Sequence, residues 1–141
     1  MKTISNSQLT IRVSPHGAEL CNIVCNGKEY LWQADPSFWK RHSPVLFPIV
    51  GSVWENEYRI DGATYNLTQH GFARDMNFEL IREQPDELRY RLADNEESRR
   101  RYPFPFRLEI GYRIQGKQIQ DLWELKNTRE KEFHIKIGAQ K

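Results

Sequence analysis

Hydrophobic and polar side chains alternate along most of the chain, and short turn-forming groups interrupt the alternation at regular intervals. Phe106, Leu108, Ile110, Tyr112 and Ile114 alternate with Arg107, Glu109, Gly111 and Arg113. A period of two puts one set on each face of a strand, and no helix produces it. Gln115-Gly116-Lys117 predicts a turn into a strand over residues 119–126, and a further strand is predicted through Phe133, Ile135 and Ile137. Upstream, Leu9, Ile11 and Val13 alternate, and Asn26-Gly27 links a strand over residues 21–25 to one over residues 28–32. That dipeptide tolerates positive φ at both central positions of a type I′ turn, a strong hairpin signal. Asp61-Gly62 repeats the device between Tyr58-Arg59-Ile60 and Thr64-Tyr65-Asn66-Leu67, and Gln84-Pro85-Asp86 separates strands over residues 78–82 and 88–92.

Regularly spaced short strands predict an all-β fold, an antiparallel β-sandwich or barrel and not a βαβ unit. Residues 36–42 and 95–101 alone read as helical, each about two turns and too short to cover a sheet. No internal repeat or linker is visible, so residues 1–141 are read as a single domain. Asp121 breaks the pattern: it falls on the strand face of Ile119, Trp123 and Leu125, where an apolar residue fits better.

Composition agrees with a globular domain: of 141 residues, 28% are charged and 38% hydrophobic. A domain of this size buries about 68% of the surface its unfolded chain exposes. Residues 1–10 carry no apolar stretch of signal-peptide length, and the apolar run over residues 45–50 is interrupted by Pro48, so neither export nor membrane contact is expected. The two cysteines, Cys21 and Cys25, share one predicted strand. At ~3.3 Å rise per residue their Cα atoms lie about 13 Å apart, too far for a disulfide, and they read as reduced thiols of a cytoplasmic protein.

Charge adds little. With 21 basic and 19 acidic side chains the net charge is +2, which gives no electrostatic case for nucleic acid. Arg99-Arg100-Arg101 follows Glu96, Glu97 and Ser98 and reads as a solvated connector. The four histidines, His16, His42, His70 and His134, have no zinc-like spacing, so no metal is expected. No nucleophile elbow, phosphate loop or dinucleotide fingerprint occurs.

The most specific word is Gln69-His70-Gly71-Phe72-Ala73-Arg74, in a loop between two predicted strands. A histidine followed by glycine can present its imidazole to a cleft without backbone crowding. The order and spacing of that word, of Ser43-Pro44-Val45-Leu46-Phe47-Pro48-Ile49-Val50-Gly51, of the Asp61-Gly62 hairpin and of Tyr102-Pro103-Phe104 resemble the aldose 1-epimerase family, particularly its LacX-like bacterial branch. Gly17-Ala18-Glu19-Leu20 resembles it too, and the likeness covers essentially the whole chain.

The resemblance implies part of a galactose mutarotase-like β-supersandwich that interconverts the α and β anomers of aldoses or sugar phosphates without a cofactor. One group takes the anomeric hydroxyl proton while another protonates the ring oxygen, the ring opens, and the aldehyde rotates and recloses. By resemblance His70 matches a catalytic histidine that contacts the sugar near its ring oxygen, a role that an imidazole of pKa ~6.5 suits. Arg74 matches an arginine that faces the substrate in the sugar-phosphate branch, and an ion pair with Asp75 or Glu79 is the alternative. Gln69 and Trp54 are further substrate-binding candidates, Trp54 as a stacking platform, with Trp32 and Trp39 as weaker ones.

Two departures stand out. Ser52 occupies a position where many relatives carry arginine, and Ile137-Gly138-Ala139 leads into Gln140 and Lys141 instead of a second histidine. A distal glutamate base has no counterpart, so the chain is expected to be the front part of an enzyme, weak or inactive alone, with self-association through exposed sheet edges. A non-catalytic carbohydrate-binding sandwich and a structural domain remain as alternatives.

Overall fold

The computed structural model describes residues 1–128 and 135–140. Strands β1 (Lys2–Ser5), β2 (Leu9–Ser14), β3 (Glu19–Cys25) and β4 (Lys28–Glu29) form one antiparallel sheet in that order. A short strand β5 (Val45–Leu46) and a hairpin of β6 (Glu57–Ile60) and β7 (Ala63–Asn66) follow. The second large sheet contains β8 (Glu79–Gln84), β9 (Glu87–Ala93), β10 (Phe106–Gln115) and β11 (Gln118–Asn127), ordered β11-β10-β9-β8, with helix α1 (Glu96–Arg101) between β9 and β10. β12 (Gly138–Ala139) pairs antiparallel with β5.

Alternation becomes layering as expected. In the second sheet Leu108 faces Leu92, Ile110 faces Tyr90 and Tyr112 faces Leu88 across the β9–β10 ladder, and all are buried. With Ile11 and Val13 of β2 and Leu20 of β3 they form one apolar core, each large side chain contributing about 1.5–3 kcal/mol by leaving water. Tyr112 crosses this core, and its buried hydroxyl donates to the Ala18 carbonyl at 2.7 Å. The two hairpin dipeptides adopt the positive φ expected of them, Asn26 and Gly27 at 52° and 74°, Asp61 and Gly62 at 49° and 81°.

Several expectations are corrected. No helix forms over residues 36–42. One turn closes there, with the Phe38 and Trp39 N–H groups on the Asp35 carbonyl at 3.0 and 2.9 Å. Beyond it, the Trp39 carbonyl accepts from Trp32 Nε1 at 2.7 Å and the His42 and Ser43 N–H groups go to the Glu19 carboxylate at 2.7 and 2.9 Å. Side-chain partners thus take the groups that a second helical turn needs, and one turn does not repay helix nucleation. The strand expected over residues 28–32 stops at Glu29, whose carboxylate turns back to accept from the Ile23 and Leu31 N–H groups at 2.9 and 3.1 Å.

At the other end Phe133 lies outside the described residues. Ile135 and Ile137 pack half-buried on the core without strand pairing, which begins at Gly138 opposite Leu46. Asp121 sits opposite Tyr112 on the outermost described strand of its sheet and is exposed, so its charge is not carried into the core.

Candidate functional site

Two sequence words meet here. Phe47 forms a parallel bridge with Gly71. Its N–H donates to the His70 carbonyl at 3.2 Å, and its carbonyl accepts from the Phe72 and Ala73 N–H groups at 3.0 and 3.3 Å. Below them Phe47, Phe72, Tyr102 and Phe106 form a buried aromatic cluster, with Phe47 and Phe106 ring centroids 4.9 Å apart and Phe47 and Phe72 perpendicular at 6.0 Å. Such pairs add about 0.5–1.5 kcal/mol beyond area burial and hold the loop to the core. Gly71 has φ +72°, and a Cβ there would lie 2.2 Å from the Phe47 carbonyl oxygen, so the two words approach this closely only with glycine.

His70 is locked to Gly51 in both directions. Its N–H donates to the Gly51 carbonyl at 2.7 Å, and its ring Nδ1 accepts the Gly51 N–H at 2.9 Å. A backbone N–H can only donate, so Nδ1 carries the lone pair and the ring proton sits on Nε2. Nε2 has no hydrogen-bond partner among the described residues. Burial pulls the imidazole pKa below its ordinary value and the nearby Arg74 guanidinium lowers it further. The result is a neutral, half-buried imidazole that offers one N–H donor.

Arg74 lies close enough to His70 to act on it electrostatically, and its Nη2 donates to the Gln69 carbonyl at 2.8 Å. Asp75 is 4.0 Å from Arg74 Nε but 3.0 Å from Arg41 Nη2, so its carboxylate pairs mainly with Arg41. Burial and the like charge of Arg41 lower the Arg74 pKa, with Asp75 acting in the opposite direction. Arg74 Nε is buried without a hydrogen-bond partner among the described residues. Gln69 enters through its backbone carbonyl, and its side chain is exposed with the rest of the residue. Trp54 stands apart in a short 3₁₀ turn and is 85% exposed. Trp32 is held by its bond to the Trp39 carbonyl and meets the Phe38 ring edge-on at 6.3 Å.

Two concavities flank the loop, and His70 lines neither. One, of about 380 Å³, runs along residues 48–50, 52 and 53 to Ile135 and Lys136, beside the glycine that holds His70. The other, of about 490 Å³, is bounded by Asn66, Leu67, Thr68, Gly71 and Phe72 and by Arg100 and Arg101 of α1.

Sequence reasoning missed Gly51 as the partner that sets the tautomer, Glu19 as the acceptor that shapes residues 42–43, and Arg41 as the partner of Asp75. Gly51 closing the Phe47-Pro48-Ile49-Val50-Gly51 word is the one signal that pointed towards it. All three residues of the arginine triplet are solvent-exposed, as a solvated connector requires. Arg99 is tied to Asp94 at 2.6 Å, while Arg100 and Arg101 face the larger concavity.

Residues 1–140 match the family model described as aldose 1-epimerase. Protein LacX of Lactococcus lactis subsp. lactis, in its plasmid and chromosomal forms, is 32% identical over 148 residues, covering 96% of this chain and 48% of the relative. Among solved structures, a galactose mutarotase related enzyme from Lactobacillus acidophilus superposes with a TM-score of 0.96 at 36% identity, over 98% of this chain and 47% of that one. A galactose mutarotase-like protein from Lactobacillus casei gives a TM-score of 0.94 at 31% identity, over 99% and 48%. The fold is therefore that of a galactose mutarotase-like β-sandwich, and the chain spans about half the length of these relatives.

Proposed function

The chain belongs to the aldose 1-epimerase family, and from that premise we propose that it is part of a mutarotase that interconverts the α and β anomers of an aldose or a sugar phosphate, with His70 at the sugar ring oxygen. The observation that carries this reading is the Nε2–H tautomer enforced by Gly51. Opening a pyranose moves the anomeric hydroxyl proton to a base, breaks the bond between C1 and the ring oxygen, and leaves electron density on that oxygen. A fixed neutral imidazole donor stabilises that density without reorganisation, as preorganised donors do at other developing oxyanions. With its pKa lowered, the ring is better suited to donating a hydrogen bond than to handing over a proton, so the proton itself comes from another group. Arg74 is assigned to a substrate hydroxyl or phosphate, with Gln69 beside it and Trp54 as an outlying platform.

With His70 supplying a hydrogen bond, both proton movements need further groups, and each positioned general acid or base is worth roughly 10²–10⁴-fold. The 141-residue chain is therefore expected to accelerate mutarotation of freshly dissolved α-glucose or α-galactose little over buffer in polarimetry. Glucose or galactose titrated into ¹³C-histidine-labelled chain should move the His70 ring signals more than those of His16, His42 or His134. Unmoved His70 signals at saturating sugar would sink the assignment. An enzyme-like rate abolished by His70→Ala would instead sink the claim that a further group is needed.

A further inference from the structure

The concavity on the α1 side of the site loop combines features that the proposed chemistry does not use. Its volume of about 490 Å³ falls within the roughly 300–1,000 Å³ typical of small-molecule sites. Buried Leu67, Gly71 and Phe72 close its floor, exposed Asn66 and Thr68 supply neutral polar groups, and exposed Arg100 and Arg101 bring two positive charges. Arg100 and Arg101 are consecutive residues in the last turn of α1, so both positive charges border the concavity from the same element. Both are available. Arg100 meets Glu96 at 3.2 Å and Arg101 meets Glu97 at 3.6 Å, but these are solvent-exposed i,i+4 pairs, which contribute little and exchange readily. The helix backbone itself is fixed, because the Tyr58 hydroxyl donates to the Arg101 carbonyl and Asn95 caps the first turn.

We infer that this concavity is a second ligand site, separate from the His70 imidazole, that takes an anionic monosaccharide with its phosphate or carboxylate on Arg100 and Arg101 and its hydroxyls towards Asn66 and Thr68. The sugar half of the inference rests on the function proposed above; the charge half does not. Thr68 and Gly71 belong to both the cavity wall and the His70 turn, where the Gly71 N–H donates to the Thr68 carbonyl at 2.9 Å. An occupant of the cavity therefore touches the segment that orients the imidazole.

Calorimetric titration of the 141-residue chain at low salt with glucose 6-phosphate, glucuronate, glucose and inorganic phosphate tests the proposal. One or both of the anionic sugars should bind more tightly than glucose and than phosphate, and which of the two binds distinguishes a phosphate from a carboxylate site. The double variant Arg100→Gln with Arg101→Gln should weaken that binding about tenfold or more, the size of one lost charge-assisted hydrogen bond. Arg12→Gln with Lys28→Gln removes the same charge from the other sheet and should leave it within about twofold. In a His70→Ala background the anionic sugar should still bind and the Arg100/Arg101 double variant should still weaken it about tenfold, which separates failure here from failure of the His70 assignment. Glucose or phosphate binding as tightly as the anionic sugars, equal weakening by both double variants, or no loss in the Arg100/Arg101 variant each overturns the inference.

Discussion

At the residue scale, the strongest constraint falls on the proton of His70. Adding a proton to Nδ1 would set two donors against each other, the new N–H and that of Gly51, across a 2.9 Å contact. Burial and the Arg74 charge oppose protonation as well. The folded-state pKa is therefore below the unfolded one, and between the two midpoints the unfolded chain binds more protons. Stability rises with pH across that window: the contribution of His70 is present above pH ~6.5 and is lost as pH falls through the folded value. A pH titration of the His70 ring signals should give a midpoint below ~6.5, and urea midpoints should fall on acidification by less in His70→Gln than in wild type. A His70 midpoint at or above the ordinary value would show that the Gly51 contact does not set the tautomer. His70 was legible in the sequence because glycine follows it within a distinctive word. Its partner was not, because the contact spans 19 residues and uses a backbone group that no residue type announces. Cys21 shows the same limit. Spacing excluded a disulfide, but only packing reveals that burial, and then the charge of Glu19, push its thiol up to about 11.

At the scale of elements, the two segments read as helical separate residues 95–101, which form α1, from residues 36–42, which do not. They have similar length, and their starts differ. Asn95 Oδ1 accepts the Ser98 N–H at 2.8 Å while Ser98 Oγ accepts the Asn95 N–H at 2.9 Å, a reciprocal capping box, with Glu96 and Glu97 in the first turn and arginines in the last. Asp35 instead closes a local turn on Ser37 at 2.9 Å, and Glu19 and Trp32 claim the groups that follow. A six-residue helix depends on its cap, so Asn95→Ala should cost about 1 kcal/mol in urea unfolding, while Asn95→Asp should be nearly neutral. An Asn95→Ala chain as stable as wild type would mean that packing alone holds α1. Strands were more legible than helices here because burial of one face imposes a period of two directly on the sequence. Their ends were less so: Glu29 terminates β4 with its own carboxylate, a competition that alternation does not record.

At the scale of the whole molecule, what stands out is how the second large sheet ends. Among the described residues β11 is the outermost strand on its side, ten residues long and paired only with β10, and Leu122, Trp123 and Leu125 along it are only half-buried. Its outer edge offers a row of backbone donors and acceptors together with apolar side chains, which is a template for pairing with another strand. The relatives that this chain matches are about twice its length, and the alternating pattern that made β11 legible could not show what lies against it. The inner face of the same sheet is satisfied: Leu108, Ile110 and Tyr112 are buried, and the carboxylates on its outer face are paired, Glu87 with Arg82 at 3.0 Å and Glu109 with Arg91 at 3.2 Å. Association is therefore expected along the edge and not across the charged face. Sedimentation velocity of the 141-residue chain should show a concentration-dependent dimer or larger species. Leu122→Lys, which adds a charge to the outermost strand with its side chain over Gly111 on the outer face, should blunt pairing along β11 and shift the distribution towards monomer while leaving the far-UV β signature intact. Raised salt should leave the association in place, because edge hydrogen bonds and apolar contacts are not screened as ion pairs are. A monodisperse monomer at all concentrations, with a single cooperative thermal transition, would show that the β11 edge does not drive association.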